Sequence, residues 1–248
     1  MATVSHSAAV RPAVHFAGRG GLVDKYFYFA MSLVLAAIVI DGFGRTVDHN
    51  LIHATPPRPL LLWFHGAVFS TWVAFFIFQS ALVRTRNVKL HRLLGWFGAA
   101  LGTAMIVLGV AVAIVMIRFD TRTLHEPGGD AFLIVPLFDM VAFAAFFGLA
   151  ILWRRKPELH RRLMFIATCG LVVAAFGRIP FVAEHGFTYY AVDVLIFLGI
   201  LRDLVVNRSV HRVYIVALPV LIACHAFVIH TETSASAWWV RIADRMLG

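Results

Sequence analysis

Apolar runs long enough to cross a lipid bilayer as helices recur along this chain, and they restrict its folding more than any other feature. A hydrocarbon layer about 30 Å thick is crossed by about 20 helical residues rising about 1.5 Å each. The runs fall at roughly 26–42, 59–83, 92–117, 131–153, 161–183, 188–206 and 211–230. Of 248 residues 60% are hydrophobic and only 14% charged, far from a water-soluble balance. In lipid every backbone N–H and C=O must be paired within the protein, so spans are helices or closed barrels, and nothing here alternates with a strand's period. The expected fold class is all-α: a polytopic membrane protein built as a seven-transmembrane-helix bundle.

Fifteen of the 22 Lys and Arg residues lie on one side of these runs, in clusters such as Arg84–Arg92, Arg154–Arg162 and Arg202–Arg212. The positive-inside rule makes that side cytoplasmic, with the N-terminus inside and the C-terminus outside. The net charge of +9 is thereby accounted for, and nucleic-acid binding is set aside. Residues 1–25 read as a cytoplasmic tail and residues 26–230 as the transmembrane domain. Residues 231–248 form an outer tail in which Trp238 and Trp239 precede spaced arginines, as in an interfacial amphipathic helix. Cys169 and Cys224 lie inside spans and read as small apolar residues.

Ionisable side chains inside lipid cost at least about 2.5 kcal/mol each at the bilayer centre, so they need partners and mark candidate sites. By helical rise, His65 lies about 9 Å into its span, Asp139 about 13 Å, and Asp193 and His225 about 8 Å, all in the outer half. Asp41, Arg178, Glu184 and His185 add to the same layer, and His49, His53 and His125 occupy the outer loops. Imidazoles and carboxylates converging from several helices are donors for zinc, iron or copper, which makes His65, Asp139, Asp193 and His225 candidate metal ligands. The same groups can instead pair among themselves, with Arg178 on Asp139 or Asp193.

A second pattern overlaps the first. His211 and His225 are fourteen residues apart, on one helical face and about 21 Å from each other. Two haem b groups would fit that spacing, an outer one between His65 and His225 and an inner one between His211 and either His91 or His160. Against a ligand role, His91, His160 and His211 each precede an arginine at a helix entry, where basic and aromatic residues anchor spans among headgroups. Gly95, Gly98, Gly102 and Gly109 stripe one face of the third span, which suits close helix packing or a flat cofactor. The last span has no lysine to carry retinal.

The segments His65-Gly66, Gln79, Leu90-His91-Arg92-Leu93-Leu94-Gly95 and Lys156-Pro157-Glu158-Leu159-His160-Arg161-Arg162-Leu163-Met164 resemble a widespread group of uncharacterised seven-span bacterial inner-membrane proteins. The resemblance covers roughly residues 58–205. It implies a multi-pass topology and a bacterial inner-membrane location, and it implies no mechanism. The residues themselves leave two expectations. One is a metal or haem centre for redox or metal-assisted chemistry on a lipid-soluble or periplasmic small molecule. The other is a non-catalytic membrane subunit of a larger complex, a homo-oligomer, or a small-molecule carrier.

Overall fold

The computed structural model describes residues 20–248, so most of the expected tail, residues 1–19, lies outside the described residues. The remainder of that tail is helical, because α1 runs Gly20–Gly44. A π-helical turn Asp48–Ile52 follows, and then α2 (Leu60–Arg84) and α3 (Val88–Thr123). Next come α4 (Gly129–Phe132), α5 (Ile134–Leu152), α6 (Pro157–Leu171), α7 (Val173–Phe176) and α8 (Pro180–Glu184). The chain ends with α9 (Thr188–Asn207), α10 (Arg212–Thr233) and α11 (Ala237–Leu247). No strand occurs among the described residues.

Six helical segments among the described residues are long and apolar enough to cross a membrane: Gly21–Gly44, Leu60–Arg84, Val88–Thr123, Gly129–Leu152, Pro157–Phe176 and Arg212–Thr233. Their outward faces carry large apolar side chains that water would not tolerate in such number, among them Ile40, Trp96, Val107, Val141 and Val216. The run 188–206, expected as the sixth span, is helical as α9, but Asp193, Arg202 and Asp203 keep it out of this apolar set.

Two further departures have local causes. The run 161–183 is not one helix: Pro180 lacks a backbone donor and pushes Ile179 into an extended conformation, so the chain breaks after α7 and restarts at α8. The segment 118–130, expected as an outer loop, is helical as far as Thr123. At 36 residues α3 is about 54 Å long and must tilt or project beyond the hydrocarbon. Its polar extension is held by neighbours: Arg58 meets Asp120 at 2.5 Å, and Arg118 donates to the Met246 carbonyl at 2.6 Å. The C-terminal tail forms the expected amphipathic helix, α11, which packs against α3 and α4 with Ala243 fully buried and the Trp239 indole donating to Asp130 O at 3.1 Å.

Helix α6 is the hub, with 61% of its spanning window buried against 6% for α2. It packs on α5, α9 and α10, and Phe165 and Ile166 join Leu133, Ile196 and Tyr214 in the main core. A smaller core gathers Trp72, Leu101, Met105, Phe143 and Phe147 between α2, α3 and α5. The glycine stripe of α3 serves this packing, because a Cβ at Gly98 would strike Phe75, at Gly102 Phe147 and at Gly109 Met140.

Candidate functional site

Three helices meet in one half of the bundle to form the most chemically loaded interior. From α5 comes Asp139, from α9 come Tyr189 and Asp193, and from α10 comes His225. Tyr189 and Asp193 are four residues apart and therefore share a helix face. The Tyr189 hydroxyl donates to Asp139 Oδ1 at 3.0 Å. Its ring stacks on the His225 imidazole, with centroids 4.3 Å apart and planes 19° from parallel. Phe138 closes another side of that imidazole edge-on at 5.7 Å. Asp193 Oδ1 approaches His225 Nδ1 to 3.1 Å, but off line, so neither atom gains a directed hydrogen bond and neither has another partner.

Between these groups lies a cavity of ≈ 20 Å³ bordered by Asp139, Tyr189 and His225 and otherwise by apolar side chains such as Phe143, Ile166 and Leu221. That is room for about one water, and the polar walls give such a water partners. A low-dielectric wall makes every interaction inside stronger than it would be in water. The arrangement is a cluster of proton-bearing groups, two carboxyls, a phenol and an imidazole, set in an apolar bundle, in which the phenol and the Asp139 carboxyl are hydrogen-bonded.

The other expected members of the outer layer are elsewhere. His65 stacks on Phe69 at 4.0 Å within α2, and its buried Nδ1 has no partner. Helix α2 packs on α1 and α3, whereas α10 packs on α4, α5, α6 and α9, so His65 and His225 are on separate parts of the bundle. Arg178 pairs with neither Asp139 nor Asp193: its Nη1 donates to the Ala174 carbonyl and its guanidinium lies 4.3 Å over the Phe43 ring. Asp41 is exposed and bound to Arg45 at 2.7 Å. Glu184 and His185 sit at the exposed end of α8, where the His185 ring packs between Phe181 and Phe187. In the connection between α1 and α2, exposed His53 meets Asp48 at 2.7 Å. Among the described residues no three His, Cys, Asp or Glu side chains gather as a metal-ion site.

At the opposite end, His91 on α3 and His160 on α6 face each other with ring centroids 6.2 Å apart. His211 does not join them. It caps α10, its Nδ1 accepting from Val213 N at 3.2 Å while its own backbone N–H donates to Asp203 Oδ2.

That carboxylate belongs to an ion network which the linear sequence does not disclose. Arg162 and Asp203, both wholly buried, form a two-pronged pair at 2.9 and 2.6 Å. Arg162 also reaches Glu158 at 2.7 Å, and Arg202 binds both Asp203 at 2.7 Å and Asp24. The network ties α1, α6, α9 and the start of α10 together. Each of its arginines counts in sequence as a topogenic positive charge, and only the fold reveals that Arg162 and Arg202 are neutralised inside the protein. Tyr189 was equally hidden, although its four-residue spacing from Asp193 is the one signal that pointed to it.

No family model, curated protein or solved structure matches this chain. The fold and site therefore define it only as an all-α protein with six helices long and apolar enough to cross a membrane and an interior His/Asp/Tyr cluster.

Proposed function

We propose that this is a seven-span protein of the bacterial inner membrane, N-terminus inside, whose Asp139–Tyr189–His225–Asp193 cluster takes up and passes protons within the outer half of the bilayer. The span that raises the count from six to seven is α9, the sixth in chain order, whose Arg202 and Asp203 enter lipid depth already paired and whose Asp193 faces His225. The carrying observation is the close approach of Asp193 to His225 beside a cavity that holds about one water. Intramembrane carboxylates and imidazoles that line such a space are the common parts of proton relays. Histidine supplies a group that changes charge near neutral pH. The relay would serve redox or transport chemistry on a lipid-soluble or periplasmic small molecule.

Purified protein in proteoliposomes, loaded with a pH-reporting dye and given an imposed membrane potential, tests this directly. Proton flux that His225→Ala and Asp193→Asn each abolish is the expected result. Flux absent from the native protein, or unchanged in both variants, would overturn the relay.

A second reading is a transition-metal or haem b centre at the same place, for which the adjacent His225 imidazole and Asp193 carboxylate are donors. Elemental analysis and an absorption spectrum of the purified protein separate it from the first. Metal or a Soret band that disappears in His225→Ala supports it. Loss of neither flux nor cofactor would leave the cluster holding the bundle together in a membrane subunit or carrier.

A further inference from the structure

We infer that His91 and His160 form a second site, separate from the outer cluster, that binds a single copper(I) ion between their rings. The geometry of the pair is the first ground. An ion held nearly in line by one nitrogen of each ring would separate the centroids by about 6.3 Å, from metal–nitrogen bonds near 2.0 Å and a ring radius near 1.1 Å. Tetrahedral coordination would draw them to about 5.2 Å. The observed centroid separation is 6.2 Å, with the rings 72° apart, which is the spacing that a near-linear ion between them would require.

The second ground is the state of the ring nitrogens. His160 Nδ1 lies 2.9 Å from the Ala150 carbonyl, which fixes the tautomer with the proton on Nδ1 and leaves Nε2 as a free lone pair. Ligating histidines are oriented in this way. His91 Nδ1 is buried without a well-directed hydrogen bond, and the group the ring approaches is the Gln79 backbone.

The third ground is Gln79, 8% exposed, whose amide oxygen and nitrogen are both buried and unsatisfied. Buried orphans of this kind are costly unless something meets them. Gln79 lies seven residues after Trp72 and so on the same face of α2, and Trp72 points into the smaller core against Phe143 and Phe147. The amide thus enters the same interior on which α3 and α6 converge. Met164, one turn beyond His160 and on its face, lines that core as well. Two imidazoles at this spacing, with the Met164 thioether one turn along α6 from His160, suit a soft monovalent ion better than zinc.

Anaerobic titration of the purified full-length protein with copper(I) against a chromophoric chelator should give one bound equivalent. X-ray absorption at the copper edge should report two nitrogen neighbours near 2.0 Å. His91→Ala and His160→Ala should each weaken binding by at least about 100-fold, more than a lost supporting contact would. His225→Ala should leave it unchanged, which separates this site from the outer cluster. His91→Gln, which keeps a polar side chain of similar reach, guards against misfolding and should lose the ion while keeping the native elution profile. The proposal falls if no equivalent binds, if affinity survives in His91→Ala and His160→Ala, or if a Soret band shows that the pair holds haem instead.

Discussion

Burial sets how much a single side chain matters here, because a polar group without its partner in the bundle has no water to turn to. Tyr189→Phe removes the donor to Asp139 while preserving the ring that stacks on His225. The carboxyl left behind should cost about 1–3 kcal/mol, seen as a lower unfolding temperature in detergent, with Asp139→Leu added to the same chain recovering part of the loss. His211 gives the same logic a pH dependence. It lies at the membrane-domain edge as the α10 cap, and burial is the main cause that lowers its pKa below 6.5, with Arg162 pushing in the same direction. The folded state therefore binds fewer protons at this ring than the unfolded chain does. Its contribution is fully present above pH 6.5 and is lost as pH falls through the lowered folded value. Protonation also takes the Nδ1 lone pair that accepts from Val213 N. His211→Asn, which keeps a capping acceptor without titrating, should flatten the fall in melting temperature between neutral and mildly acid pH.

Elements differ in how openly the sequence announces them. The helices α1, α2, α3, α5 and α10 were legible because lipid demands apolar length, and length is visible in a string of letters. The break in the fifth run was signposted by Gly177 and Pro180, yet the run's hydrophobicity masked it. What hydropathy cannot supply is partnership. Asp203 reads as a misplaced acid and Arg162 as a loop cation until α6 and α9 are packed side by side. The cluster around His225 was half legible: His225, Asp139 and Asp193 stood out by charge at depth, whereas joining His65 to them assumed that equal depth means proximity, and helix order decides otherwise. For the α6–α9 pair, removing one buried ion should be far worse than removing both. Arg162→Met or Asp203→Leu alone should cost about 3–5 kcal/mol, and the double replacement less than either. A double-mutant cycle on unfolding in mild detergent measures that coupling.

At the scale of the whole molecule, everything about direction turns on α9. If it crosses the bilayer the chain has seven spans, and the 184–187 turn and the 208–211 turn are on opposite sides. If it does not, six spans remain and those two turns share a side. The packing favours crossing. Helix α9 lies against α1, α6, α7 and α10, and its charged inner end is spent on Arg162 and Asp24 and not left to lipid. The charge count favours the same arrangement, since the 84–92, 154–162 and 202–212 clusters then all face the cytoplasm. Single cysteines placed at exposed positions decide it, after Cys169 and Cys224 are replaced by Ala. Glu184→Cys and Ser234→Cys should react with a membrane-impermeant maleimide on intact cells, whereas Arg86→Cys and Ser209→Cys should react only after permeabilisation. Equal labelling at 184 and 209 would reduce the bundle to six spans. The reverse pattern at all four would turn the molecule over, putting the His225 cluster in the inner half and the His91–His160 pair in the outer.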